Sequence, residues 1–187
     1  MPVFDYDPPE RFVAGTVGEP GSRTFFLQAR AGGRLTSVAL EKAQVAALAE
    51  RVGELLDEIV RRSGGQAPVP ALPPSGTEDT GPLEVPIEEE FRVGTMSLAW
   101  DSDRQVVVIE CFEVDDDDVE ALEDAEAALA PDPARNLLRV SLDGASARAF
   151  SQRATALVAA GRPPCPFCAG PLDPAGHVCP RANGYRR

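Results

Sequence analysis

The apolar positions of this chain alternate in short runs and then switch to helical spacing, and this happens twice. Phe12–Val17, Thr24–Ala29 and Leu35–Leu40 are runs of aromatic, aliphatic and β-branched residues. They are separated by Glu19-Pro20-Gly21-Ser22 and Ala31-Gly32-Gly33-Arg34, which predicts three strands joined by turns. From Glu41 to Arg62 the apolar residues Val45, Leu48, Val52, Leu55, Leu56 and Ile59 recur at steps of three and four, one face of a helix. Ser63-Gly64-Gly65 ends it. Residues 63–86 hold six prolines and four glycines, and this composition predicts an extended linker or loop that adds little to a core.

Beyond that stretch the order recurs. Phe91–Met96 echoes Phe12–Val17, Gln105–Cys111 parallels Arg23–Ala29, and Leu137–Leu142 matches Leu35–Leu40. In the following helix Ala147, Phe150, Ala154, Leu157 and Val158 stand 102 residues after Val45, Leu48, Val52, Leu55 and Leu56. The expected fold is α+β: duplicated β-β-β-α units forming a mostly antiparallel sheet of about six strands, with two helices on one face. An approximate two-fold axis would relate the halves. The expected divisions are 1–62 for the first unit, 63–86 for the linker, 87–160 for the second unit and 161–187 for a small C-terminal zinc-knuckle module. The second unit carries an insertion, 112–136, where the first has a short turn.

Composition narrows the function classes. Acidic residues outnumber basic ones 30 to 18, for a net charge of -12, which argues against binding nucleic acid over the whole surface. No run of 18 apolar residues exists, so no transmembrane helix is expected. The first residues, MPVFDYDPPERF, lack a basic and apolar leader, so no secretory signal is expected. The charge is also uneven. Glu78 to Glu126 holds 18 acidic residues against Arg92 and Arg104, whereas the segment after Gly161 carries Arg162, Arg181, Arg186 and Arg187 against Asp173.

The strongest chemical signal lies near the C-terminus. Cys165-Pro166-Phe167-Cys168-Ala169-Gly170 places two thiols around a tight turn, and His177-Val178-Cys179 follows. Three of the four cysteines and the only histidine thus fall within 15 residues, a set suited to a tetrahedral, structural Zn²⁺. The spacing of the second pair departs from a zinc ribbon. A redox CxxC normally opens a helix, and Pro166, Gly170 and Pro171 oppose one. Without a secretory leader, a disulfide framework is disfavoured.

With His177 on the metal, no histidine remains to activate a serine or cysteine nucleophile. Lys42 reads as an exposed residue at a helix start, and Cys111 as a buried thiol closing an apolar strand. Phe4, Tyr6 and Phe12 read as residues covering a core. Asp115, Asp116, Asp117 and Asp118 lack the alternating ligand pattern of a calcium loop and read as a solvated acidic surface able to dock a basic partner. Arg181, Tyr185, Arg186 and Arg187 form a basic tail with one aromatic, a second candidate contact for a partner.

Several strings here resemble an actinobacterial family of uncharacterised proteins, domain of unknown function 3090. They are Phe4 to Phe12, Arg23 to Ala29, Val38 to Lys42, Phe91 to Gly94 and Cys165 to Arg187, and the resemblance runs essentially end to end. It implies a cytoplasmic actinobacterial protein and supplies no activity and no catalytic residues. It also implies genomic company with a phosphomutase-like and a lipid-kinase-like protein.

Together these features lead us to expect a non-enzymatic, zinc-binding interaction or adaptor protein with a protein partner. One alternative is a Mg²⁺-dependent enzyme acting on phosphorylated small molecules through carboxylates near Glu110 and the acidic insertion. Another is nucleic-acid binding through the basic tail. The sequence pattern sets no oligomeric state.

Overall fold

The computed structural model describes residues 2–19, 21–76, 79–114, 135–160, 167 and 179. Along Thr24–Ala31, Phe25, Leu27 and Ala29 enter the main core, while Phe26 and Gln28 point to the opposite face. Both sets are buried, so this strand is covered on both sides. That strand is β3 in the order β1 (Val3–Tyr6), β2 (Arg11–Val17), β3, β4 (Arg34–Leu40), α1 (Lys42–Arg62), β5 (Glu89–Asp101), β6 (Val106–Glu113), β7 (Leu137–Asp143) and α2 (Gly144–Ala159).

The strands form one seven-stranded sheet in the order β1-β7-β6-β5-β4-β3-β2. Pairing is antiparallel except at β1–β7 and β4–β5. The two edge strands, β1 and β2, are consecutive in the chain and joined only by residues 7–10. A link that short requires the sheet to roll until its edges approach. Side chains cross the roll accordingly. The Tyr6 hydroxyl donates to Thr36 Oγ1 on β4 at 2.7 Å, Arg34 lies 4.9 Å over the Tyr6 ring, and Phe4 meets Phe91 of β5.

Inside the roll, Val45, Leu48, Val52 and Leu56 of α1 share one core with Ala147, Phe150 and Ala154 of α2 and the inward residues of the sheet. Small residues let the helices approach each other. Ser151 Oγ donates to the Ala49 carbonyl at 2.7 Å, and a Cβ on Gly53 would stand 3.3 Å from that hydroxyl. Phe150 stacks on Phe12 of β2 at 4.7 Å. Asp143 caps α2 by accepting from the Ser146 amide at 2.7 Å, satisfying one of the helix's orphan donors. At α1, the Gln44 side chain accepts from the Glu41 amide and donates to the Val93 and Gly94 carbonyls. It thereby ties the helix start to the irregular point in β5 between Val93 and Met96.

The molecule is thus a mixed α+β protein with a seven-stranded sheet and two helices. The expected helix and three-strand runs reappear with small shifts, and the sheet has one strand more than expected, β1. Tyr6 is 1% exposed, so this residue is core rather than cover. The pairing pattern of the first half recurs in the second. The leading part of β5 pairs with β4 and the remainder with β6, just as β1 pairs with β7 and β2 with β3.

Register sharpens the comparison. Phe26 faces Ala39, and Val108 faces Ser141, the relation expected from the second- and third-strand matches. Gly15, however, faces Phe26 as Ala99 faces Val108, and Tyr6 lies against β7 as Phe91 lies against β4. The echo of Phe12–Val17 in Phe91–Met96 is therefore not the alignment the sheet uses. Glycine and threonine after a phenylalanine are common enough in strands to imitate it.

Tyr6→Phe keeps the ring and removes only the hydroxyl that Thr36 accepts from. The expected loss is about 1 kcal/mol, read as a lower urea midpoint with an unchanged slope.

Candidate functional site

The described residues of the proline-rich stretch after α1 form neither helix nor strand, but they join both cores. Val69 belongs to the main core and is 8% exposed. Leu83, with Ile87 beside it, seats on the outer face of β2–β4 against Val13, Phe26 and Ala39. The expectation that this stretch adds little to a core is corrected here. A few apolar residues between prolines suffice when each lands on a prepared surface.

That surface has specific receptors. Gln28 and Ser37 are buried polar residues on the outer face. The Gln28 amide donates to Ser37 Oγ and to the Glu84 carbonyl, and its oxygen accepts from the Glu84 amide at 2.8 Å. The side chain thus mimics a strand partner and holds the stretch around Leu83 and Glu84, a strap across this face, by its backbone. At Gly15 the strap presses closest, since a Cβ there would lie 2.4 Å from Leu83 Cγ.

A charged clasp closes the strap's near end. The Arg11 guanidinium on β2 grips Asp79 with two bonds, Nε to Oδ2 at 2.6 Å and Nη2 to Oδ1 at 2.9 Å. Its Nη2 also donates to the Gly81 and Pro82 carbonyls, and Nη1 lies 3.5 Å from Glu84. From α2, Arg153 donates through Nη1 to the Asp79 carbonyl and to Oδ1, and through Nη2 to the Gly81 carbonyl at 2.6 Å. Its Nε reaches the Ala14 carbonyl on the edge strand at 3.0 Å. Asp79 therefore links β2, α2 and the strap.

The electrostatics agree with the geometry. Hydrogen bonding from Arg11 holds the Asp79 carboxyl below its ordinary value, and the same bond raises Arg11. Burial lowers Arg153 despite Asp79 beside it, yet an arginine remains a cation at neutral pH.

Two grooves flank the clasp. One, of about 400 Å³, runs between the strap and the C-terminal half of α2, past Pro73, Thr80, Ala156 and Leu157. The other, of about 360 Å³, lies between residues 9–13 and the start of α2. Asp79, Ala149 and Arg153 line both. Because the donors of Arg11 and Arg153 already meet carbonyls and carboxylates of the chain, this cluster works as a fastening. A bound anion would have to displace those partners.

The other candidate residues fall differently. Cys165, Cys168 and His177 lie outside the described residues, as do Asp115, Asp116, Asp117, Asp118, Arg181, Tyr185, Arg186 and Arg187. Cys179 is described and is 7% exposed. Among the described residues no three His, Cys, Asp or Glu side chains come together as a metal site. Cys111 is fully buried on β6, and burial, with a smaller contribution from Glu110, pushes its thiol up to about 12. It is thus a structural thiol at neutral pH. Lys42 is exposed at the first residue of α1.

Glu110, which the enzyme alternative invokes, accepts from Arg139 Nε and from Ser97 Oγ, both at 2.8 Å. The ends of the acidic insertion are pinned together, since the Glu113 amide donates to the Asn136 carbonyl at 3.0 Å. Its outer residues Phe112 and Glu113 belong to β6.

Sequence reasoning missed Arg11, Asp79 and Arg153. One signal was available. Arg153 sits within the small and apolar positions of α2, three residues after Phe150, where a solvated arginine is out of place.

A rolled seven-stranded sheet packed against two helices, strapped on its outer face by the connection between its halves, defines the class as α+β. Within that class the chain belongs to the DUF3090 family, proteins of unknown function, whose family model matches residues 4–179. No curated protein and no solved structure matches the chain. No described helix is long and apolar enough to cross a membrane.

Proposed function

We propose that this chain is a zinc-binding interaction protein, an adaptor whose rolled body is a scaffold rather than a reaction centre. The saturated clasp carries this reading. The most charged cluster in the grooves spends its donors on Asp79, Gly81, Pro82 and Ala14, so it stabilises the body instead of facing a substrate. The recurrent pairing pattern supports a body built by internal duplication.

In this reading Cys165, Cys168, His177 and Cys179 hold one structural Zn²⁺ in a knuckle within 161–187, in the cytoplasm. Asp115 to Asp118 and the basic Arg181, Tyr185, Arg186 and Arg187 offer two oppositely charged surfaces to a protein partner. Four protein ligands would close the metal's coordination, leaving it to organise its segment rather than activate water.

The test is metal analysis of the full chain, kept reduced and purified without a metal-affinity tag. About one zinc per chain is expected, falling at least fivefold in the C165S/C168S variant. Less than about 0.2 zinc per chain in the unaltered protein would overturn the metal assignment.

A further inference from the structure

The two halves of the sheet differ in what covers their outer faces. On the first, Leu83 seats over the row Gly15–Phe26–Ala39, and Gln28 grips the strap's backbone in the row beside it. The corresponding rows of the second half are Ala99–Val108–Ser141 and Ser97–Glu110–Arg139. Ala99 and Ser97 are exposed and Val108 is half-buried, while Ser141 at the far end of its row is buried. Farther along the same face, Phe112 and Leu137 are half-buried beside Val3, which is 53% exposed. No described segment crosses this face as the strap crosses the other. Yet Ala99 is small at the point where Leu83 presses on Gly15, leaving room for an apolar side chain.

Chain order points to the occupant. The strap is the stretch that follows α1, and the stretch that follows α2 is 161–187. Leu83 lies beyond the end of α1 by nearly the same number of residues as Cys179 lies beyond the end of α2. Both are buried, at 9% and 7% exposure.

The polar receptor also changes in a consistent way. Gln28 donates and accepts, but Glu110 in the equivalent place can only accept. Its carboxylate holds Ser97 and Arg139 within the sheet and keeps acceptor capacity for a further donor. Asp5 flanks the same row across Arg139. Such a face suits a segment presenting amide or guanidinium donors. Segment 161–187 carries Arg162, Arg181, Arg186 and Arg187 against Asp173.

We propose that the outer face of β5–β7 is the seat of the chain's own segment 161–187, which crosses it near Cys179 as the strap crosses β2–β4 at Leu83. The seating does not depend on the metal reading, because the strap holds its face without a metal. It makes the two halves alike in their covers as well as in their pairing, and it places the proposed zinc module against the body.

The test is site-specific photo-crosslinking in the full-length chain. A benzophenone amino acid replaces Ala99 in one variant and Ser97 in another, with Glu50 on the exposed side of α1 as the control position. Circular dichroism matching the unaltered protein establishes folding for each. The expected result is an intramolecular crosslink from position 99 or 97 to a peptide within 161–187, at least tenfold above the control position. Crosslinks that reach only 115–134, crosslinks only to a second chain, or no crosslink from either position would overturn the proposal. Zinc content measured on the same samples reports separately on the metal reading.

Discussion

Asp79→Asn lowers the stability of the folded chain by about 2 to 3 kcal/mol at neutral pH, a larger loss than most single polar substitutions cause. The substitution keeps the shape and removes the charge. Arg11 and Arg153 have side chains only 14% and 18% exposed, and both converge on this one carboxylate. Without it, two like charges face each other, Arg153 with only neutral carbonyls for partners and Arg11 with those and Glu84 at 3.5 Å. A fully buried pair broken on one side loses about 3 to 5 kcal/mol. Asp79 itself is 35% exposed, so solvent screening trims the expected value toward the lower figure.

The acid limb gives a second reading of the same contact. The folded-state value of Asp79 is depressed by Arg11, so its contribution is complete above the unfolded value of about 4. It disappears as pH falls through the still lower folded value. The stability difference between the two proteins should therefore be widest at neutral pH and narrow below about pH 4. Urea unfolding at both pH values measures this. Equal midpoints at pH 7 would show that the clasp contributes nothing.

Much of this architecture is legible in the amino-acid pattern, for identifiable reasons. The helix from Lys42 buries Val45, Leu48, Val52 and Leu56, four of the six residues its spacing marks, with Leu55 and Ile59 half-buried beside them, because a single apolar stripe has one way to face a core. The strands β3 and β4 are legible because turn residues bracket them. By contrast, β1 is four residues long, with Asp5 between its aromatics and two prolines one residue beyond its end. Its stability comes from pairing with Leu137–Val140, more than 130 residues away, and no local signal encodes that.

The strap was hidden for a related reason. Proline-rich composition describes what a segment cannot form, a helix or a central strand, and is silent about what it can cover. Leu83 and Asp79 gain their roles from Gly15, Gln28, Arg11 and Arg153, which belong to other elements. The Cys and His set is the reverse case. Its ligand types and spacing are wholly local, so the sequence argues for it without help from the fold.

Gly15→Ala should destabilise the protein by about 1 to 3 kcal/mol, the range for forcing an atom into a filled site. The sign is the informative part. Glycine within a strand is ordinarily worse than alanine by about 0.5 to 1 kcal/mol, so on local grounds the substitution should help. Here the added methyl would meet Leu83 Cγ at 2.4 Å, Cδ2 at 2.6 Å and Cδ1 at 3.0 Å. Leu83 cannot retreat freely, since Gln28 fixes the backbone of its neighbour Glu84 and Arg11 holds the carbonyls of Gly81 and Pro82. Leu83→Ala alone should lose about 2 kcal/mol, the low end for a buried leucine, because the strap lies between Leu83 and solvent on one side only. In the double variant the methyl occupies space the leucine has vacated, so its loss should fall short of the summed single losses by about 1 to 2 kcal/mol. Urea midpoints of the four proteins supply the cycle. A stabilising Gly15→Ala, or strictly additive losses, would mean that the strap does not bear on β2, and the reason for a cover on one face of the sheet would have to be sought elsewhere.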